Sequence, residues 1–218
     1  MSIVQQNSGT FSGTSFTPTL PGASSASNGI ILIVAGNTTV TTPASWTLRT
    51  SQVNFMGHYC YTRDGVSLTS VAVSNSAGQG TWWIAEILSG VYDTSTSANN
   101  TATGTSYTTP NLTPTAGTRI LIASIGSTVD TVQARTVSGW TNSFIEQADV
   151  QQTSADWPMQ GVAVLDNQSA NGVASYSTSA TYSSTAVGRS AIIASYVTTS
   201  GGAPAIPPLL IMQTRRAF

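Results

Sequence analysis

The stretch GIILIVAGNTTVTTPASWTL, residues 29–48, decides the fold because its pattern recurs in the second half of the chain. Its apolar run, residues 30–35, is short, rich in β-branched side chains and bounded by Gly and Asn, which favours a strand covered on both faces over a buried helix. Residues 118–126 repeat this run. The ending around Trp46 is repeated around Trp140.

The similarity between the two halves of the chain extends to a second pair of segments, since residues 81–87 and residues 189–195 have a similar pattern of apolar and small side chains. Short strands at this spacing, without sustained helical periodicity, are typical of a sandwich or jelly roll. The sequence therefore predicts an all-β fold: an antiparallel, jelly-roll-like β-sandwich with extended terminal arms. We expect one domain over residues 1–200, built from two related halves at about 29–90 and 118–200.

The composition is poor in charge and rich in hydroxyl groups. Charged residues make up 7% of the chain, and 65 of its 218 residues are Ser or Thr; about 25% charged residues is typical. A chain with so little electrostatic repulsion tolerates close neighbours, as an assembly requires. The net charge of −1 argues against binding to nucleic acid, which needs a basic surface.

Compartment signals are sparse. Cys60 is the single cysteine, so no intramolecular disulfide can form. The first residues lack the basic and apolar regions of a signal peptide, and no apolar run approaches the roughly 18 residues that cross a bilayer. We therefore expect synthesis in a cytoplasm and no membrane partner.

Three local predictions concern segments outside the repeated strands. Residues 1–27, which include Pro18 and Pro21, should form an extended arm or an edge strand. Asp64-Gly65 is a strong hairpin signal. Residues 93–109 show no apolar periodicity and are predicted to be a long polar loop.

Residues 201–218 are predicted to be an extended, proline-rich C-terminal tail. An extended apolar segment is not expected to stay exposed to water, so another part of this chain or another protein should pack against it. Two alternatives are open: a final edge strand on its own sandwich, or strand addition to a neighbouring subunit. The candidate assembly residues of this tail are Ile206, Leu209, Leu210, Ile211, Met212 and Phe218.

The sequence contains no convincing catalytic centre. His58 and Cys60 lie two residues apart, so on a strand both side chains face the same side and a dyad is conceivable. However, no nucleophile signature supports it, and a satisfied core His beside a small core Cys is the simpler interpretation. Glu86 and Glu146, the two glutamates, are not placed for glycoside hydrolysis. We predict a protein that is not an enzyme.

No cofactor is predicted. One His and one Cys cannot make a four-ligand zinc site. A structural calcium ion is the remaining alternative, since calcium takes oxygen ligands from loops. The candidate ligands for it are Asp93 with Asn99 or Asn100, and Asp166 with Asn167.

Tryptophans are the best candidates for ligand or interface contacts. Trp82 and Trp83 are adjacent on a predicted strand, so only one faces a given core and the other should point outward. Trp157, beside Pro158, is a further candidate in a loop. The repeated Trp46 and Trp140 are more simply structural corners.

The twice-used pattern of apolar strand, polar spacer and Gly/Ser-Trp-Thr resembles a β-sandwich domain of virion proteins from tailed phages, especially those of actinobacterial hosts. The residues that carry the resemblance are 30–46, 82–90 and 113–140. The lysine-free composition and the short Arg-containing tail are similar as well. This resemblance implies a minor tail, tail-tip or capsid-decoration component without catalytic residues.

Two functions follow as hypotheses. The first is a structural virion protein, located in the particle, whose partners are other virion proteins and its own copies. The second is a carbohydrate-binding module for host-surface or other glycans, using an outward tryptophan such as Trp83 or Trp157.

Overall fold

The computed structural model describes residues 2–54, 56–128, 135–152 and 158–198. Within these ranges the secondary structure is β-strand throughout, as predicted. The twelve strands are β1 (Ile3–Phe16), β2 (Gly29–Gly36), β3 (Thr47–Gln52), β4 (Gly57–Asp64), β5 (Val73–Ile87), β6 (Gly90–Asn100), β7 (Gly104–Thr108), β8 (Gly117–Thr128), β9 (Val137–Ser138), β10 (Ile145–Gln151), β11 (Met159–Ala170) and β12 (Ser179–Thr198).

The strands form two antiparallel sheets that pack face to face, which confirms the predicted β-sandwich. The first sheet has the order β1-β5-β2-β4-β3 and the second the order β10-β11-β8-β12-β6, with β7 and β9 paired to β12. If β6, β8, β10, β11 and β12 are matched to β1, β2, β3, β4 and β5, the two orders are identical. Each half of the chain therefore builds one whole sheet.

A pseudo-two-fold axis relates the two sheets. Ala35 pairs with His58 and Thr81 in the first sheet, as Gly126 pairs with Gln160 and Ser190 in the second. Ala35 and Gly126 face each other across the interface, since a Cβ placed on Gly126 would lie 3.4 Å from that of Ala35. The halves thus meet through equivalent surfaces, as the subunits of a symmetric dimer do.

Both faces of each sheet are buried. Between the sheets lies a core that contains Ile31, Ile33 and Trp83 from the first sheet. The outer face of the first sheet is covered by loops that carry Leu20 and Val40, and loops also cover the outer face of the second. This double cover explains why residues 30–35 form an uninterrupted apolar run and are all fully buried, as predicted.

The repeated tryptophans mark equivalent corners. Trp46 packs on the outer face of the first sheet, and Trp140 packs on the outer face of the second. Each follows a residue in the left-handed region, Ser45 and Gly139, both with φ of 66°. A matched left-handed residue turns the chain so that the indole folds back onto its own sheet.

Two local predictions are wrong. Residues 93–109, expected to be a loop, contain most of β6 and all of β7. These polar segments need no apolar face to form strands, because both pair with β12, which supplies their backbone hydrogen bonds. Asp64-Gly65 turns the chain, with Gly65 at φ 70°, but it does not join a hairpin, since β4 lies between β2 and β3. The N-terminal arm is the edge strand β1, one of the two forms expected for it.

Candidate functional site

Trp82 and Trp83 are both buried, which overturns the expectation that one of them is exposed. Trp83 lies in the core between the sheets, and its Nε1 donates to Oε1 of Gln6 at 2.9 Å. Trp82 does point to the opposite face, as the strand geometry predicts, but the loops over the first sheet cover it and leave 8% exposed. Neither indole offers a platform for a ligand.

Several candidates lie outside the described residues. These are Trp157 and the tail, including Ile206, Leu209, Leu210, Ile211, Met212 and Phe218. Their proposed roles as ligand and assembly residues stay predictions.

A polar cluster bridges the two sheets inside the core. The imidazole of His58 contacts Oγ of Ser190 at 2.9 Å through Nδ1 and Oγ of Ser124 at 3.0 Å through Nε2. Gln160 donates to the same Ser124 at 3.0 Å and accepts from Thr81 at 3.5 Å. By the pseudo-symmetry, the Gln160–Thr81 contact is the counterpart of the His58–Ser190 contact. These contacts join the two halves of the chain. Every member of the cluster is buried, so a substrate cannot reach it.

The conceivable dyad of His58 and Cys60 is enclosed in the core. His58 and Cys60 do face the same side of β4, as predicted, and both are completely buried. Burial lowers the pKa of His58 to about 3, so the ring stays neutral at ordinary pH. Burial also raises the pKa of the Cys60 thiol to about 12, although Arg49 opposes this shift. A neutral, inaccessible thiol is a poor nucleophile.

The carboxylates considered for calcium are engaged by the protein. Asp93 forms a buried ion pair with Nε of Arg119 at 3.1 Å and also accepts from Thr115 and Ser195. Asp166 accepts from the backbone N of Ser2 at 2.7 Å. Within the described residues, no three His, Cys, Asp or Glu side chains come together as a metal site.

Glu86, weighed from the sequence only as a catalytic carboxylate, is a buried anchor. Its carboxylate accepts from Nδ2 of Asn28 and Nε2 of Gln5, each at 2.6 Å, and from the backbone N of Ser25 at 2.7 Å. Burial alone would raise the pKa of Glu86, but these hydrogen bonds outweigh it and hold the pKa below its ordinary value. Glu86 therefore fastens the loop over the first sheet.

The sandwich has two sides along which an edge strand of one sheet lies next to an edge strand of the other. We call the side at β3 and β6 the closed side and the side at β1 and β10 the open side. On the closed side, β3 and β6 are joined by Thr50 and Ser97 at 2.7 Å and by Arg49, which lies 4.0 Å over the ring of Tyr92. On the open side, Gln6 of β1 donates to Gln147 of β10 at 3.0 Å. On the same side Gln152, which directly follows β10, donates to the backbone O of Phe11 in β1 at 2.8 Å, and Ser2 donates to Asp166 at 2.7 Å.

A cleft of about 290 Å³ opens on the open side. Its lining residues are Ile145, Gln147, Val164 and Asp166. Ile145 pairs with Val164, which belongs to the core between the sheets, yet Ile145 is 69% exposed because the first sheet does not extend over it. Val53 and Val173 are exposed to a similar degree, at 65% and 80%, and Ile145 differs from them by lying at the mouth of this cleft.

A second, polar recess lies on the outer face of the second sheet. It has a volume of about 300 Å³. Asn142 and Ser143 at its rim are both in the left-handed region, with φ of 56° and 62°, and Tyr176 and Gln168 line its wall. Left-handed non-glycine residues are often found at binding sites. Neutral amides and hydroxyls beside an aromatic ring suit a sugar or polyol.

Comparison with known proteins identifies no relative: no protein-family model, no curated protein and no solved structure matches this chain. Among the described residues there is no helix long and apolar enough to span a membrane.

Proposed function

We propose that this chain is a non-enzymatic structural component of a tailed-phage virion, a minor tail, tail-tip or capsid-decoration protein that acts through protein–protein contacts. The observation that carries the proposal is the open side of the sandwich, where, among the residues that the structure describes, β1 and β10 each pair on one side only and Ile145 is exposed. Free edges and exposed aliphatic side chains are liabilities for an isolated protein and become useful once a partner covers them.

Two further observations support the proposal. The candidate nucleophile Cys60 and its neighbour His58 are locked inside the core. The chain also carries few charges, so copies repel each other weakly at the high local concentration of a particle.

The first test is the mass of the full chain in solution beside a truncation that ends at Gly202, measured by light scattering. We expect an oligomer for the full chain and a folded monomer for the truncation. A monomer in both cases contradicts self-assembly through the tail. Mass spectrometry of purified phage particles, with and without residues 203–218, then tests incorporation: the full chain should be present in the particle and the truncated chain absent.

A glycan-binding role is the second candidate, and the polar recess at Tyr176 is the observation that favours it. Trp83, one of the tryptophans predicted to bind a glycan, is buried and cannot contact one. The test is binding to an array of bacterial surface glycans. We expect Gln168→Ala to abolish any saturable binding, whereas Gln79→Ala, on the other sheet, should leave it unchanged. A full chain that binds no glycan eliminates this role.

A further inference from the structure

We propose that two copies of this chain exchange halves when they fold together at high concentration. The first half of each copy, residues 2–87, then packs against the second half of the other copy, residues 90–198. The partner is a second copy of this chain, and the contact surface is the inner face of each sheet. This inference does not rest on the proposed function. Three observations carry it: the separation of the two sheets along the chain, the contacts between them, and the connection that joins them.

The backbone pairing of each half is complete in itself. Every described strand pair joins two strands of the same half, and every isolated bridge among the described residues does the same. The halves can therefore separate without breaking a hydrogen bond between paired strands. An exchanged dimer keeps all of this pairing, because each sheet is still built by one copy.

Side chains make the contacts between the halves, and these contacts are the same in either arrangement. Ile33 and Trp83 of the first half share the core between the sheets with Ile192 of the second half. Across the same interface, His58 contacts Ser190 at 2.9 Å. The surface that covers the first half of one copy is present on the second half of every other copy. Exchange therefore satisfies the same contacts, as in other domain-swapped dimers.

The connection between the halves is short and strained. Only Leu88 and Ser89 separate β5 from β6. Ser89 is in the left-handed region, with φ of 47°, which L-residues with a Cβ adopt at a cost. Its backbone N donates to Oδ1 of Asn28 at 2.9 Å, so the turn is held by the first half. Opening the turn relieves Ser89 and exposes this N–H group to water, and short connections under strain favour exchange between copies.

The same connection sets the condition for exchange. A short linker keeps each half near its own partner, at an effective concentration on the order of millimolar. Chains that fold in dilute solution therefore close as monomers, and exchange competes when many chains fold together. Natively folded monomers convert only when the buried core between the sheets opens.

Disulfide trapping between copies of different mass tests the exchange. Oγ1 of Thr50 lies 2.7 Å from Oγ of Ser97, and these residues belong to different halves. Full-length chains carrying Thr50→Cys are mixed with full-length chains carrying Ser97→Cys, unfolded in urea with reductant, refolded together and then oxidised. We expect a disulfide between one copy of each mass, with a yield that rises with protein concentration. The native Cys60 is buried in the fold and does not take part. Association of intact sandwiches gives no such product, because each Thr50 then faces the Ser97 of its own copy.

The matched control uses a contact inside one half. Oγ1 of Thr108 and Oγ of Ser179 are also 2.7 Å apart, but both residues belong to the second half. Copies carrying Thr108→Cys and copies carrying Ser179→Cys should give no mixed disulfide after the same treatment. Equal yields from the two pairs would overturn the inference, because they would show unspecific coupling.

Substitutions at the connection provide the second test. Ser89→Pro should raise the mixed Thr50–Ser97 disulfide in dilute protein by about tenfold or more, because proline cannot adopt the φ of the closed turn. Ser89→Gly should lower the yield, because glycine adopts this conformation freely. Ser45→Pro, which replaces a left-handed serine inside the first half, should not raise it.

The outcomes separate this inference from the proposed function. A folded Ser89→Pro chain that gives no more mixed disulfide than the wild type overturns the exchange. If Ser89→Pro does not fold, the wild type decides: no mixed disulfide after refolding at about 1 mM protein also overturns it. Neither result touches assembly through the tail, which the truncation at Gly202 tests on natively folded protein.

Discussion

Acid pH should destabilise the fold through His58, and the size of the effect follows from its burial. The imidazole has an ordinary pKa of 6.5, which it regains on unfolding, and a folded pKa of about 3. Below pH 6.5 the unfolded state binds a proton that the folded state does not, so stability falls as the pH drops towards 3. Between pH 7 and pH 5 the loss from this single group is about 2 kcal/mol, and over the whole interval it approaches about 5 kcal/mol.

The perturbation is His58→Asn, which removes the titrating group. We expect the variant to be less stable than the wild type at pH 7 by about 2–4 kcal/mol, because the serines lose a partner and the smaller side chain leaves a void. Its stability should nevertheless fall by about 2 kcal/mol less than that of the wild type between pH 7 and pH 5. Urea unfolding followed by tryptophan fluorescence measures both quantities.

Ser190→Ala is the matched control for this experiment. It breaks one hydrogen bond to His58 but keeps the ring, so it should lower stability at both pH values while retaining the pH dependence of the wild type. Equal pH dependence in the wild type and His58→Asn would refute the reasoning, because it would mean that His58 can be protonated inside the fold.

Three further predictions concern two buried groups, Cys60 and Asp93, and the left-handed corners at Ser45 and Gly139. Cys60 should resist thiol reagents at pH 8 until the protein unfolds globally, so its labelling rate in urea should follow the unfolding equilibrium; fast labelling in native buffer would show an accessible thiol. Asp93→Asn should cost about 3–5 kcal/mol in urea unfolding because it leaves Arg119 buried without a counter-charge; a loss below about 1 kcal/mol would mean that the pair is solvated. Ser45→Gly should change stability by less than about 1 kcal/mol, whereas Gly139→Ala should lower it by about 1 kcal/mol or more, because alanine is strained in the left-handed region that Gly139 adopts. Thermal unfolding measures both changes. Two neutral substitutions would contradict the shared left-handed corner.

The central strands were predictable because burial on both faces leaves a signature in a single sequence. Residues 30–35 form an uninterrupted apolar run, residues 118–126 repeat it with few polar interruptions, and their neighbours supply the turns. The same burial explains an error in the predicted match between the halves. The sequence comparison aligned residues 81–87 with residues 189–195, which is one residue away from their correspondence in the structure. In the structure Trp83 corresponds to Ile192, not Ala191, since both face the core between the sheets. Uninterrupted apolar runs contain no alternation that fixes a register.

The edges and the candidate sites were not predictable to the same extent. β6 holds its place through backbone pairing with β12, and its polar side chains give no periodic signal. The burial of Trp82 depends on loops distant in sequence. Ile145 looks like an ordinary strand residue in the sequence, and only the end of the opposing sheet makes it part of a cleft. Such features arise from contacts between segments, which one sequence does not display.

The assignment of each sheet to one half of the chain has a consequence during synthesis. The first sheet is complete once Ile87 has emerged from the ribosome, but the face that carries Trp83 and Ile33 has no cover until β12 is made. At usual elongation rates the remaining hundred or so residues take roughly 5–20 s. During that interval a nascent chain exposes this apolar face, and a second nascent chain on the same messenger RNA exposes the same face. Translation speed and chaperone access across residues 90–198 should therefore govern the yield of soluble protein more than the stability of the finished fold.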